Sequence, residues 1–204
     1  MISIYSLKPR FQSLLRPLVS KMSARGITAN QVTLAAAAIS LLIALVVTWQ
    51  AQHLWVFVLS PIWMFLRMAL NAIDGMLARE FGQQSKLGAY LNELCDVIAD
   101  SALYLPFALL AGVPALLVVG VVLMAAVVEY AGVLGLMVGA SRRYDGPMGK
   151  SDRAAVFGLL GAGAAFDVLD SLWITNILVV VLALLIYTLY NRVRRGLAEA
   201  TDNT

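Results

Sequence analysis

Asn71-Ala-Ile-Asp74-Gly75-Met-Leu-Ala78-Arg79, then eight residues, then Gly88-Ala-Tyr-Leu-Asn92-Glu93-Leu-Cys-Asp96 and, one turn on, Asp100: the fold turns on this stretch. Apolar sequence flanks it on both sides for tens of residues. Ionisable groups inside such sequence are costly and mark function. Positions 71, 74 and 78 share one helical face, and 88, 92, 96 and 100 share a face of a second helix. A turn near residue 83 makes the two helices an antiparallel hairpin. Equal depth then pairs Arg67 with Asp100, Asn71 with Asp96, Asp74 with Asn92 and Ala78 with Gly88. The result is a pocket open at the aqueous end, lined by oxygens, with an ion pair at its floor. Hard divalent cations take such oxygen ligands, and Mg2+ combines few carboxylates with substrate phosphates.

The composition sets the rest of the frame. The chain has 204 residues, 61% hydrophobic and 13% charged, with a mean hydropathy of +0.83. Several apolar runs exceed the roughly 20 residues that cross a bilayer core. Helices satisfy their own backbone there, and the alternating short strands of a barrel are absent from the sequence. The fold class expected is an all-α integral membrane protein: six transmembrane helices plus an N-terminal amphipathic juxtamembrane helix. Spans fall near 31–50, 54–79, 87–110, 113–138, 153–168 and 171–191. The chain reads as one domain, with an interfacial helix over 1–30, a six-helix bundle over 31–191 and a cytoplasmic tail over 192–204. Ile4, Leu7, Phe11, Leu14, Leu15, Leu18 and Met22 recur at helical spacing among Lys8, Arg16 and Lys21, as in a helix lying on an anionic leaflet. Cys95 and His53, each the sole residue of its type, support no Cys/His metal site.

Charge placement orients the spans. Of the 15 Lys and Arg, all but Arg67 fall at segments that six spans put on one side; the opposite loops carry none. The positive-inside rule makes that side cytoplasmic, with both termini and the pocket. The expected location is a bacterial inner membrane, as a multi-pass protein. No nucleic-acid partner is expected. Gly135 and Gly139 form a GxxxG, and Gly158, Gly161 and Gly163 cluster, as close helix contacts require. Glu129 is a second intramembrane charge, facing Arg67, the pocket or an interface. In the second basic loop, four cations (Arg142, Arg143, Lys150 and Arg153), Gly146, Gly149 and Ser151 are expected to make an oxyanion cradle beside a helix N-terminus. The outer halves of the spans are apolar, which argues against a transporter path.

The central stretch resembles the signature of the CDP-alcohol phosphotransferase family, Asp-x2-Asp-Gly-x2-Ala-Arg-x8-Gly-x3-Asp-x3-Asp. Asp74, Gly75, Ala78, Arg79, Gly88 and Asp96 match with every spacing kept, while Asn71 and Asn92 stand at the first and third acidic positions. The resemblance implies transfer of a substituted phosphate from a CDP-linked donor, CDP-diacylglycerol in most bacterial members, to an alcohol, with release of CMP. It implies Mg2+ or Mn2+ at Asn71, Asp74, Asn92 and Asp96, with Asp96 as catalytic base. Gly75, Ala78, Arg79 and Gly88, with Asp74, would contact the CDP moiety. A homodimer is implied as well. Lys150, Arg153 and Arg142 would meet the acceptor or its phosphate, pointing to a phosphorylated polyol such as glycerol 3-phosphate. The asparagines leave three outcomes open: one tight ion with a second entering with substrate, Glu93 or Asp100 supplying the missing charge, or a chain that binds CDP-lipid without transfer.

Overall fold

In the computed structural model, residues 4–202 are described, with side chains from 11 to 201. Those of Ile4, Leu7 and Lys8, placed on the amphipathic face by the sequence, lie outside this set. The described residues form seven α-helices and no strand: α1 (Ile4–Ala24), α2 (Ala29–Trp49), α3 (Leu59–Glu80), α4 (Lys86–Tyr104), α5 (Ala115–Leu134), α6 (Lys150–Ala165) and α7 (Ser171–Asp202). Short 3-10 turns precede α3 and follow α4 and α5.

Four segments are long and apolar enough to cross a membrane: Ala29–Trp49, Leu54–Glu80, Ala115–Val138 and Ser171–Thr201. The other two expected spans differ for separate reasons. α6 has only 16 residues. α4 has 19, but it carries Glu93, Asp96 and Asp100. It is an inside-out helix: Leu87, Tyr90, Leu94 and Ile98 face outward, and the carboxylates face the bundle. The last helix also departs from expectation. The polar tail after residue 191 continues α7 as helix to Asp202, tied to the preceding loop by Glu199, which accepts from the Ser141 amide at 2.9 Å.

Local chemistry sets the helix starts. Thr28 caps α2 in a reciprocal box with Gln31. Ser85 caps α4 by accepting the Gly88 amide at 2.9 Å. Asp170 accepts the Trp173 amide at 2.9 Å where α7 begins. α1 is docked as well as amphipathic. Val19 is fully buried with Ile73, Met76 and Leu77 of α3, while Leu14 and Leu18 stay exposed. Arg16 reaches Glu80 at 3.1 Å.

The glycines divide into two uses. Gly158 and Gly161 bring α6 onto Pro61 and Phe57; a Cβ on Gly161 would meet the Phe57 carbonyl at 2.9 Å. That is close packing within one chain. The GxxxG works otherwise. Gly135 makes room for the returning loop, its Cβ site 2.8 Å from the Ser141 carbonyl, and Gly139 ends the helix at φ 87°.

Candidate active site

α3 and α4 form the antiparallel pair, turning through Gly82 at φ 66°. Their backbones scarcely approach each other; α2 packs on both instead. The hairpin is therefore wedged open, and the gap is a cavity of about 660 Å³. Asp74, Gly75, Ala78 and Arg79 line it from α3, and Gly88 and Asn92 from α4. All six come from the stretch singled out in the sequence. α2 adds Asn30 and Thr33, which sequence reasoning did not assign to a site. The capped helix start was the available signal, but nothing local shows which way its second turn faces.

The glycines shape the walls. A Cβ on Gly75 would sit 2.7 Å from the Arg79 guanidinium, which lies back along its own helix. A Cβ on Gly88 would meet Asn30 Oδ1 at 2.8 Å and Ser85 Oγ at 3.0 Å. Bare backbone at both places lets these polar side chains lie close against the helices at the cavity wall. Arg79 is exposed and forms no ion pair among the described residues.

Asp74 is 5% exposed and accepts a hydrogen bond from Thr33 Oγ1 at 2.8 Å. No Lys or Arg pairs with it among the described residues. A buried carboxylate is ordinarily paired or metal-bound, because desolvating its charge is otherwise costly. Asp96, 16% exposed at its side chain, is differently placed. Arg67 reaches it at 3.2 Å, and the Lys150 ammonium bonds its other oxygen. Asn71 Nδ2 faces Asp96 at 3.5 Å. Two of the four depth pairings thus appear as contacts, Arg67 with Asp100 and Asn71 with Asp96. The other two appear as opposite walls of the cavity.

Among the described residues no three His, Cys, Asp or Glu cluster as a metal site would require. The neighbours do not make up the number. Glu93 grips Arg142 through both oxygens, at 2.6 and 2.7 Å. Asp100 is held by Arg67 and by Arg153 at 3.0 Å. An ion here would rest on Asp74, on Asp96 and on the amide oxygens of Asn71 and Asn92. Oxygens of that kind fit Mg2+ or Mn2+.

The basic loop is arranged differently from the cradle expected. Lys150 and Arg153 stand one turn apart at the start of α6, facing Asp96 and Asp100, one turn apart on α4. Lys150 keeps 30% of its side chain exposed; Arg153 keeps 1%. Arg153 also meets Glu129 at 3.0 Å, and Arg142 meets it at 3.2 Å. Glu129 takes a third partner in Arg192 at 3.3 Å. Arg67 was one of its three expected facings, but these three arginines are its partners. Arg192, assigned to the tail by sequence, is 2% exposed and belongs to the bundle. Periodicity gave no sign of this, because Arg192 ends an apolar run where a topology signal is also expected.

Comparison with known proteins fits this geometry. The model of the CDP-alcohol phosphatidyltransferase family matches residues 26–190. The chain is 46% identical over 201 residues to the inner membrane protein YnbA of Escherichia coli strain K12, covering 98% of this chain and 100% of that protein. It is 33% identical over 104 residues to the phosphatidylinositol phosphate synthase of Corynebacterium glutamicum, 51% of this chain and 45% of that one. With the archaetidylinositol phosphate synthase of Pyrococcus horikoshii it shares 30% over 103 residues, 50% and 52% of the two chains. The chain thus spans about half the length of these synthases. It belongs to the CDP-alcohol phosphatidyltransferase family, whose members are generally dependent on divalent metal.

Proposed function

We propose that this protein transfers a phosphatidyl group from CDP-diacylglycerol to an alcohol, releasing CMP, in phospholipid synthesis. The observation that carries the proposal is Asp74: a buried carboxylate with no cation partner among the described residues, facing a cavity walled by backbone glycine and rimmed by the Arg79 guanidinium. A base and ribose would lie along Gly75, Ala78 and Gly88, and Arg79 would take the diphosphate. Mg2+ or Mn2+, held by oxygens of Asn71, Asp74, Asn92 and Asp96, would neutralise the phosphoryl oxygens and the departing CMP. Asp96 would accept the proton of the attacking hydroxyl as the new phosphorus–oxygen bond forms. The bond to CMP breaks, and CMP leaves with its electron pair. Acyl chains would extend between the helices into lipid, consistent with a site inside a membrane bundle.

The acceptor proposed is a phosphorylated polyol, glycerol 3-phosphate or an inositol phosphate. Support comes from the similarity to the phosphatidylinositol phosphate and archaetidylinositol phosphate synthases and from Arg142, whose two-pronged grip on Glu93 is one a phosphate could replace. Lys150, beside Asp96, is accessible to an acceptor; Arg153 is enclosed and would act by positioning. Six spans in an inner membrane, both termini cytoplasmic, and a homodimer complete the proposal.

The test is CMP release by purified protein with Mg2+ or Mn2+, CDP-diacylglycerol and a panel of alcohols. No CMP with any acceptor would refute transfer. A second reading, binding of CDP-lipid without chemistry, is favoured by the Lys150 contact that occupies Asp96. It predicts stabilisation by CDP with no CMP formed.

A further inference from the structure

Asp74 and Asp96, the two carboxylates of the matched stretch, are in opposite states. Asp74 has a hydroxyl partner and, among the described residues, no cation. Asp96 has two cations, Arg67 and the Lys150 ammonium. Every acidic side chain that could enlarge the site is already committed: Glu93 to Arg142, Asp100 to Arg67 and Arg153, Glu129 to three arginines. Releasing any of these would take a carboxylate partner from a guanidinium of the bundle, which is unfavourable where the pair is buried. Asn71 and Asn92 add oxygens but no charge. The uncommitted negative charge of the cleft is therefore that of Asp74, with a share of Asp96.

We propose that the cleft takes one divalent cation, seated on Asp74, and that the Lys150 ammonium on Asp96 stands as a covalently attached second positive charge. Lys150 is suited to this. It starts α6 within a fixed turn in which the Gly149 amide donates to Asp152 Oδ2 at 2.9 Å, and its neighbour Arg153 is anchored to Asp100. The ammonium is thus delivered by a rigid element. A tethered charge differs from an ion in that chelators do not remove it. The assignment rests on the proposed phosphatidyl transfer only for its purpose; the ion count itself is independent of donor and acceptor.

The test counts ions on the purified full chain in nanodiscs, stripped with chelator and titrated with Mn2+. Free Mn2+ is followed by its electron paramagnetic resonance signal. Wild type and Lys150→Arg are expected to bind one Mn2+ per chain. Lys150→Met, which frees Asp96 Oδ2 while Arg67 keeps Oδ1, is expected to bind two. Asp74→Asn should weaken the first ion by more than the roughly 10–100-fold that loss of a supporting partner costs. Two ions or none on wild type, or one ion on Lys150→Met, would overturn the proposal. CMP release is measured alongside. One ion without CMP under any condition refutes transfer and leaves the count standing; two ions with CMP release refutes the count alone.

Discussion

Asp74 and Asp100 are almost equally buried, at 5% and 4% exposure, and stand on the two arms of one hairpin. Asp100 is clamped between the guanidinium groups of Arg67 and Arg153. Asp74 has the Thr33 hydroxyl and an open cavity. The same contrast separates two regions. Toward α5, α6 and α7, four acidic and five basic side chains form a continuous network through Asp96, Asp100, Glu129 and Glu93. Toward α2, the cleft is open, and Asp74 and Arg79 have no ion partner among the described residues. A buried charge with its partners present holds a structure together. A buried charge without them awaits a ligand.

The contrast is broken most directly at Arg153. Arg153→Ala would strip a partner from both Asp100 and Glu129, at a cost of about 3–5 kcal/mol for a buried pair left half-made. Thermal unfolding in detergent should show a large drop. A stable variant with only a raised KM for the acceptor would mean that Arg153 binds substrate instead. Asp74→Ala should do the reverse. CMP release should fall about 10³-fold or more, as expected when a charge-stabilising group is lost, while Tm stays within a few degrees of wild type. A drop in Tm matching that of Arg153→Ala would erase the distinction.

Smaller effects sharpen the same picture. Glu93→Gln should loosen Arg142 and lower the KM for a phosphorylated acceptor about threefold to tenfold, the scale of one weakened charged contact. A KM change shared equally with an unphosphorylated alcohol would count against the replacement of Glu93 by phosphate. The smallest effect belongs to the loop clasp. Burial pushes the Asp145 carboxyl up, but hydrogen bonds from Arg195 and Arg143 outweigh it and hold the carboxyl below its usual range. Its folded value is thus depressed. Its stabilisation is present above the unfolded value of about 3.9 and is lost as pH falls through the folded value. Asp145→Asn should cost a few tenths of a kcal/mol at neutral pH, since Arg195 is exposed. The difference from wild type should vanish in acid unfolding curves; a difference that persisted there would assign the effect to packing.

The sequence by itself determined the all-helical membrane character, the hairpin, its depth pairing and the family. Each follows from local spacing: apolar length, the helical period and fixed intervals from Asp74 to Asp96. It also showed that two acidic positions hold asparagine. Only the tertiary structure decided which charges are spent. Whether Lys150 reaches Asp96, whether Arg192 points to water or to Glu129, and whether Thr33 faces Asp74 depend on how separate helices rotate about their axes. A one-dimensional pattern records the face a residue shares with its own helix, not the neighbour that face meets.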